Sequence, residues 1–187
     1  MAHYAQAVPF QPLPIAILTV SDTRSLATDE SGSALQARLE AAGHLLADRQ
    51  LCTDDIYQIR ALVSQWIVNP DVPVILITGG TGFSARDNTP EALAPLFDKQ
   101  VEGYGELFRH LSLASIGTST IQSRALAGLA NNTLICAMPG SPRACVLAWD
   151  ELIAPQLDAR HKPCNFVGQL MPKAPTACAP RGATGGA

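Results

Sequence analysis

Between Val72 and Leu93 the chain changes character three times. A short apolar, β-branched run, Val72-Pro-Val-Ile-Leu-Ile-Thr78, gives way to Gly79-Gly-Thr-Gly82, and Thr89-Pro-Glu91 then starts a helix. Strand, glycine-rich turn and helix in so short a span form a unit of an open α/β sheet. In such sheets ligands bind beyond the carboxyl ends of the strands, and glycine lets backbone N–H groups approach a ligand that a Cβ would hold off. Asp87, at the far end of the turn, puts a carboxylate beside a cradle suited to phosphate. That combination points to phosphate together with Mg²⁺.

The rest of the chain supplies further units of the same kind. Ile15-Ala-Ile-Leu-Thr-Val20 reads as a buried parallel strand and ends in Ser21-Asp-Thr-Arg24. A dinucleotide fold would carry GxGxxG there, and its absence argues against a Rossmann dehydrogenase. Asp29-Glu-Ser-Gly-Ser33 starts a helix through Ser31 or Ser33, with Leu35 and Leu39 inward and Gly43 at its end. His44 to Cys52, interrupted by Asp48, Arg49 and Gln50, is expected as an edge strand. Thr53 is the expected cap of the next helix, whose apolar face runs from Ile56 to Ile67. Asp54 and Asp55 lie at the positive end of its dipole and serve either as capping groups or as chemistry.

The helix opened by Pro90 is expected to stop near Pro95, and a second to run from Tyr104 to Leu113 with Leu107, Phe108 and Leu111 inward. Gly117-Thr-Ser-Thr-Ile-Gln-Ser-Arg124 starts a short helix at Thr118 or Ser119, which either only packs or walls a site. Asn131-Asn132 turns the chain into the strand Thr133–Met138, and Ser141 and Pro142 then cap and open a helix with a break near Pro155. Strand, glycine, hydroxyl-Pro and helix thus occur twice, which aims two helix N-termini at one sheet edge. Each can receive an anion.

With 187 residues, 47% hydrophobic and only 16% charged, the chain can bury one substantial core. The expected organisation is an N-terminal arm over residues 1–13, one domain over 14–166, and a disordered tail over 167–187, rich in Pro, Ala and Gly. The five cysteines show no CxxC spacing and the four histidines no HExxH, so the thiols are expected to be reduced and structural. A net charge of −3 argues against a broad nucleic-acid surface. Arg24, Arg86, Arg124 and Arg143 nevertheless lie in or beside the loops and helix starts, where local charge matters more than the total. Apolar windows are too short to cross a membrane, and no signal peptide is present, so a cytoplasmic protein is expected. GxxxxGK[ST] is absent, which excludes a Walker A loop.

Taken together, Thr78-Gly-Gly-Thr-Gly82 with Arg86-Asp-Asn-Thr-Pro-Glu-Ala92 resembles the signature of the MoaB/MogA family of molybdenum cofactor biosynthesis proteins, shared with the gephyrin G domain. Ser21-Asp22, Asp29-Glu-Ser-Gly32, Gly117–Arg124 and Met138-Pro-Gly-Ser-Pro-Arg143 match in order. The resemblance spans residues 14–166 and is closer to MoaB in Gly103–Phe108 and Ile153–Arg160. It implies a three-layer αβα sandwich with a mostly parallel central sheet, assembled as a homotrimer or homohexamer, that binds molybdopterin. Active members adenylylate molybdopterin with Mg²⁺ and ATP, releasing pyrophosphate. By motif position, Asp54 and Asp87 match the catalytic and metal-holding aspartates. Thr78, Gly79, Gly80, Thr81 and Gly82 would cradle the pterin or phosphate, Ser21 and Asp22 would line the floor, and Ser31 and Gly32 would join them. Pro139, Gly140 and Ser141 would close the opposite wall. A binding or scaffold protein of the same fold without turnover is the alternative that the resemblance implies.

Overall fold

The computed structural model describes residues 8–170. Its strands are β1 (Pro14–Val20), β2 (Leu45–Cys52), β3 (Val74–Thr78), β4 (Lys99–Gln100), β5 (Leu126–Ala130) and β6 (Thr133–Met138). They form one sheet in the order β2-β1-β3-β6-β5-β4. The β1–β2, β1–β3 and β3–β6 pairs are parallel, and β5 pairs antiparallel with both β6 and β4. From β1 the chain first moves outward to β2 and then returns to the other side of β1 as β3. That reversal is the switch point at which open α/β sheets bind ligands.

Why β1, β3 and β6 are continuous apolar runs follows from the layers. Ile15, Ile17, Val74, Leu76, Leu134 and Cys136 face one core, while Ala16, Leu18, Ile75, Ile77, Ile135 and Ala137 face the other. Because successive side chains point to opposite faces, a strand covered on both sides has no solvent face on which to place polar residues. On the first face lie α1 (Glu30–Ala41), α4 (Glu102–Ile116) and α5 (Pro142–Leu147), and on the second α2 (Ile56–Ile67) and α3 (Thr89–Leu93). This is the expected αβα sandwich. Beyond α5 a π-helical stretch, Ala148–Ile153, leads into the single turn α6 (Ala154–Gln156), a local change of pitch at the break expected near Pro155.

Several local expectations are corrected. Asp29, not Ser31 or Ser33, caps α1, its carboxylate accepting the Gly32 N–H at 2.8 Å. Asp55, not Thr53, caps α2, accepting the N–H groups of Tyr57 and Gln58 at 2.9 Å each. On α4 the inward face is Tyr104, Phe108 and Ser112, whereas Leu107 is 54% exposed and Leu111 half-buried. The short helix expected from Thr118 or Ser119 is present as a 3₁₀ helix that begins at Gly117 and runs to Gln122. The strands β4 and β5 were not expected at all.

Before β1, Phe10 packs against His44 with ring centroids 5.1 Å apart, and Leu13 is buried. The last residues of the expected arm therefore dock on the domain itself, at the turn between α1 and β2, while residues 1–7 lie outside the described region. At the other end a short helix, α7 (Val167–Leu170), buries Val167 and Leu170, so packing continues past residue 166. Residues 171–187 of the expected tail lie outside the described region.

His44 couples this packing to pH. Its Nδ1 accepts the Leu13 N–H at 3.2 Å, and its ring meets Trp149 edge-on at 6.0 Å. Burial pushes its pKa below the ordinary histidine range despite the opposing pull of Asp158. The unfolded chain therefore binds a proton more readily than the folded one. His44 should contribute stability that is fully present above the unfolded value near 6.5 and declines as pH falls below it. Thermal unfolding followed from pH 7.5 to 5.0 should show this loss, and His44→Gln should flatten it; an equal decline in both proteins would remove His44 as its source.

Candidate functional site

The carboxyl ends of β1, β3 and β6 surround a cavity of about 320 Å³. Thr19, Val20 and Ser21 come from the end of β1, Thr78 to Gly82 from the end of β3, and Pro139 and Gly140 follow β6. Glu30 and Ser31, at the start of α1, and Pro142, at the start of α5, bring two helix N-termini to its wall. The second terminus is thus that of α1 and not of α3, whose Thr89 is fully buried and donates its hydroxyl to the Gly79 carbonyl at 2.9 Å.

The glycine turn is held by contacts that admit no side chain. Gly79 has φ +103°, and a Cβ there would lie 2.2 Å from the Val20 carbonyl oxygen. Gly80 has φ +64°, and its Cβ would meet Thr89 Oγ1 at 2.4 Å and Asp54 Oδ2 at 2.5 Å. Gly79 donates its N–H to the Met138 carbonyl at 3.0 Å, whereas the N–H groups of Gly80 and Thr81 have no protein partner among the described residues. The opposite wall is tied in by Thr78, whose hydroxyl donates to the Pro139 carbonyl at 3.2 Å, and by Ser31, whose hydroxyl donates to the Gly140 carbonyl at 2.9 Å.

Of the residues singled out from the sequence, Ser21, Ser31, Thr78, Gly79, Gly80, Thr81, Gly82, Asp87, Pro139 and Gly140 line the cavity. Four do not. Ser141 turns away to cap α5, accepting the Ala144 N–H at 3.2 Å, and Gly32 packs beneath Asp29. Asp22 accepts two bonds from Arg86, at 2.6 and 2.9 Å, and the Asp54 N–H at 3.0 Å. Asp54 stands behind Gly80, 5% exposed.

The two aspartates beside the turn differ in their electrostatics. Burial raises the Asp54 carboxyl above the ordinary range, helped by the charges of Asp87 and Asp22, although the Asn88 N–H and side-chain amide bond it at 2.9 and 3.0 Å. Burial also pushes the Asp87 carboxyl up, but the hydroxyl and N–H of Ser84, the Gly82 N–H and the charge of Arg124 outweigh it. Asp87 is held below the ordinary range. Because Asp55 does the capping, the Asp54 carboxylate is left for other partners.

Thr19, Val20, Arg24, Asp29, Glu30 and Pro142 also line the cavity and were not picked out as its wall. Asp29 is buried and fully engaged, accepting from the Gly32 N–H, the Thr19 hydroxyl at 2.7 Å and Arg49 at 2.9 Å. Asp29 competes for the cap with Ser31 and Ser33, and taking the cap is what brings it to the cavity wall. The Gly117–Arg124 segment does not touch the cavity. It delivers Arg124 onto the loop, where the guanidinium donates to the carbonyls of Gly82 at 2.7 Å and Asp87 at 2.6 Å, and to the Glu91 carboxylate.

Residues 16–159 match the family of probable molybdopterin binding domains. The chain belongs to the MoaB/MogA family of molybdenum cofactor biosynthesis proteins. Molybdenum cofactor biosynthesis protein B of Escherichia coli strain K12 is 58% identical over 157 residues, covering 84% of this chain and 92% of its own. Among solved structures, a molybdenum cofactor biosynthesis protein B is 40% identical with a TM-score of 0.76, over 79% of this chain and 92% of its own. A MogA structure is 30% identical with a TM-score of 0.67, over 77% and 97%. The MoaB/MogA likeness thus extends over the whole sandwich, from β1 to the helix after β6. Among the described residues no helix is long and apolar enough to cross a membrane.

Proposed function

We propose that this chain works in molybdenum cofactor biosynthesis by binding molybdopterin and adenylylating it with Mg²⁺ and ATP. The observation that carries this reading is the glycine turn at the sheet's switch point, with the N–H groups of Gly80 and Thr81, unpartnered among the described residues, at the cavity and the carboxylates of Asp54 and Asp87 packed against Gly80 and Gly82. In the reaction a terminal phosphate oxygen of molybdopterin forms a bond to the α-phosphorus of ATP, the bond from that phosphorus to the bridging oxygen breaks, and pyrophosphate leaves. No covalent nucleophile on the protein is needed. The chain has to hold two anions in line and offset the charge between them.

The residues fit that task. The free N–H groups of Gly80 and Thr81 and the N-termini of α1 and α5 suit phosphate oxygens. A Cβ on Gly80 or Gly82 would strike Asp54 Oδ2 or Asp87 Oδ2, at 2.5 and 2.8 Å, so only glycine lets both carboxylates pack against the turn, Asp87 at the cavity and Asp54 behind it. Among the described residues no group of three or more acidic, histidine or cysteine side chains could hold a metal alone. Mg²⁺, which keeps waters and needs only one or two carboxylates beside phosphate, suits the Asp54 and Asp87 pair. Bound there with the nucleotide, it would supply Lewis-acid stabilisation of the phosphate oxygens. Assembly as a homotrimer or homohexamer belongs to the same proposal, with Leu107, Leu113, Ile116 and Ile121, all about half exposed or more, as apolar surface available to it.

A single-turnover assay with purified protein, molybdopterin and Mg-ATP tests the activity by measuring adenylylated pterin and pyrophosphate in equal amounts. Equal yields of both are expected. Molybdopterin bound without product, under conditions in which an active relative turns over, would establish the binding or scaffold protein instead.

A further inference from the structure

The cavity is short of positive charge for a site that takes phosphates. Asp29, Glu30 and Asp87 are among its lining residues, and among the described residues Arg24 is the one cation there. The neighbouring arginines are already engaged. Arg49 is committed to Asp29, Ser33 and Gln36, Arg86 to Asp22, and Arg124 to Gly82, Asp87 and Glu91. Arg24 is exposed, and its guanidinium makes a single bond, from Nη1 to the Thr28 carbonyl at 3.3 Å. Most of its five N–H donors are available to a ligand.

The backbone that carries Arg24 is organised by its own loop. Ser21 Oγ accepts the N–H groups of Thr23 and Arg24 at 3.3 and 3.2 Å. Beyond it, Ser25 and Thr28 close a turn, with the Ser25 N–H bonded to Thr28 Oγ1 and the Thr28 N–H to the Ser25 carbonyl, both at 3.0 Å. An exposed guanidinium with free donors on a fixed base, beside a cavity whose other charged lining residues are acidic, matches the planar fork by which arginine grips phosphate with two parallel bonds.

We infer that Arg24 is the phosphate-selecting residue of this cavity, distinguishing phosphorylated ligands from their unphosphorylated counterparts. The inference rests on the adenylyltransferase reading and names a residue which that reading leaves out. The phosphate it grips belongs either to the triphosphate of ATP or to the monoester of molybdopterin.

Calorimetric titration of the full chain with Mg-ATP, molybdopterin and adenosine, for wild type, Arg24→Ala and Arg24→Lys, separates these sources. Arg24→Ala should weaken one phosphorylated ligand by about tenfold to a hundredfold, the range for a lost charge-assisted bond pair. Adenosine should bind as before, and Arg24→Lys, which keeps the charge and loses the fork, should fall between. Weakening confined to Mg-ATP assigns the triphosphate, and weakening confined to molybdopterin assigns the monoester. The melting temperature should not move, because the one bond lost is at the surface. Wild-type affinity of Arg24→Ala for both phosphorylated ligands would overturn the inference while leaving the adenylyltransferase reading intact. A wild-type chain that binds neither would overturn that reading, and the role of Arg24 with it.

Discussion

Asp87→Asn is expected to lower the single-turnover rate of molybdopterin adenylylation by at least about a hundredfold, the order seen when one preorganised electrostatic contact is removed from a reacting centre. Molybdopterin affinity should stay within a few-fold of wild type. The expectation follows from what asparagine keeps and what it loses. It keeps the volume of the side chain and an oxygen that can accept the Ser84 N–H, bonded at 2.8 Å to Asp87 Oδ2. The surrounding loop stays pinned, because Arg124 holds the carbonyls of Gly82 and Asp87 and not the Asp87 carboxylate. What disappears is the negative charge that the hydrogen bonds of Ser84 and Gly82 and the charge of Arg124 keep ionised. Rate and affinity measured on one preparation decide the matter. An unchanged rate would remove Asp87 from the chemistry, and a protein that no longer folds would make it a structural carboxylate.

Gly79→Ala should produce the largest loss of stability, about 3 kcal/mol or more, because it combines a left-handed backbone with a backbone collision. For a chain of this size that corresponds to a fall of roughly 6–12 °C in melting temperature. The Cβ would lie 2.2 Å from the Val20 carbonyl oxygen, and neither partner is a side chain that could swing aside. The strain falls where β1 and β3 diverge, so molybdopterin binding should suffer with it. Differential scanning calorimetry reads the effect directly. A melting temperature within 2 °C or so of wild type would mean that the turn relaxes at little cost, contrary to the close approach drawn from the geometry.

The parts of the fold that depend on burial were legible in the sequence. Ile15–Val20, Val74–Thr78 and Thr133–Met138 are apolar apart from one buried threonine each because helices cover both faces of the strands they form. By contrast Leu126-Ala-Gly-Leu-Ala130 carries no β-branched or aromatic residue, and its strand character comes from pairing with β6 across the Asn131-Asn132 turn, where both asparagines have positive φ. No local propensity announces such a strand. The caps failed for a related reason. Asp29, Ser31 and Ser33 are all competent caps, as are Thr53 and Asp55, and the choice is made by tertiary partners such as the Gly140 carbonyl, which takes the Ser31 hydroxyl. At the site, the glycine turn and Asp87 could be read from spacing alone. The place of Asp29 and Arg24 at the cavity depends on how the loop after β1 folds back, which no short motif encodes.

The position of β6 between β3 and β5 also bears on how the protein is made. Pro139, which accepts the Thr78 hydroxyl, follows it by 61 residues, so at synthesis rates of about 5–20 residues per second the glycine turn leaves the ribosome some 3–12 s before its opposite wall. Until β6 arrives, β3 has a partner only on its β1 side, and Val74-Ile-Leu-Ile77 presents an open apolar edge to other nascent chains. A translational pause between β3 and β6 would prolong that exposure. A chain released before Thr133 would leave the ribosome with its binding site lacking the Pro139–Pro142 wall and with the edge of its central strand uncovered.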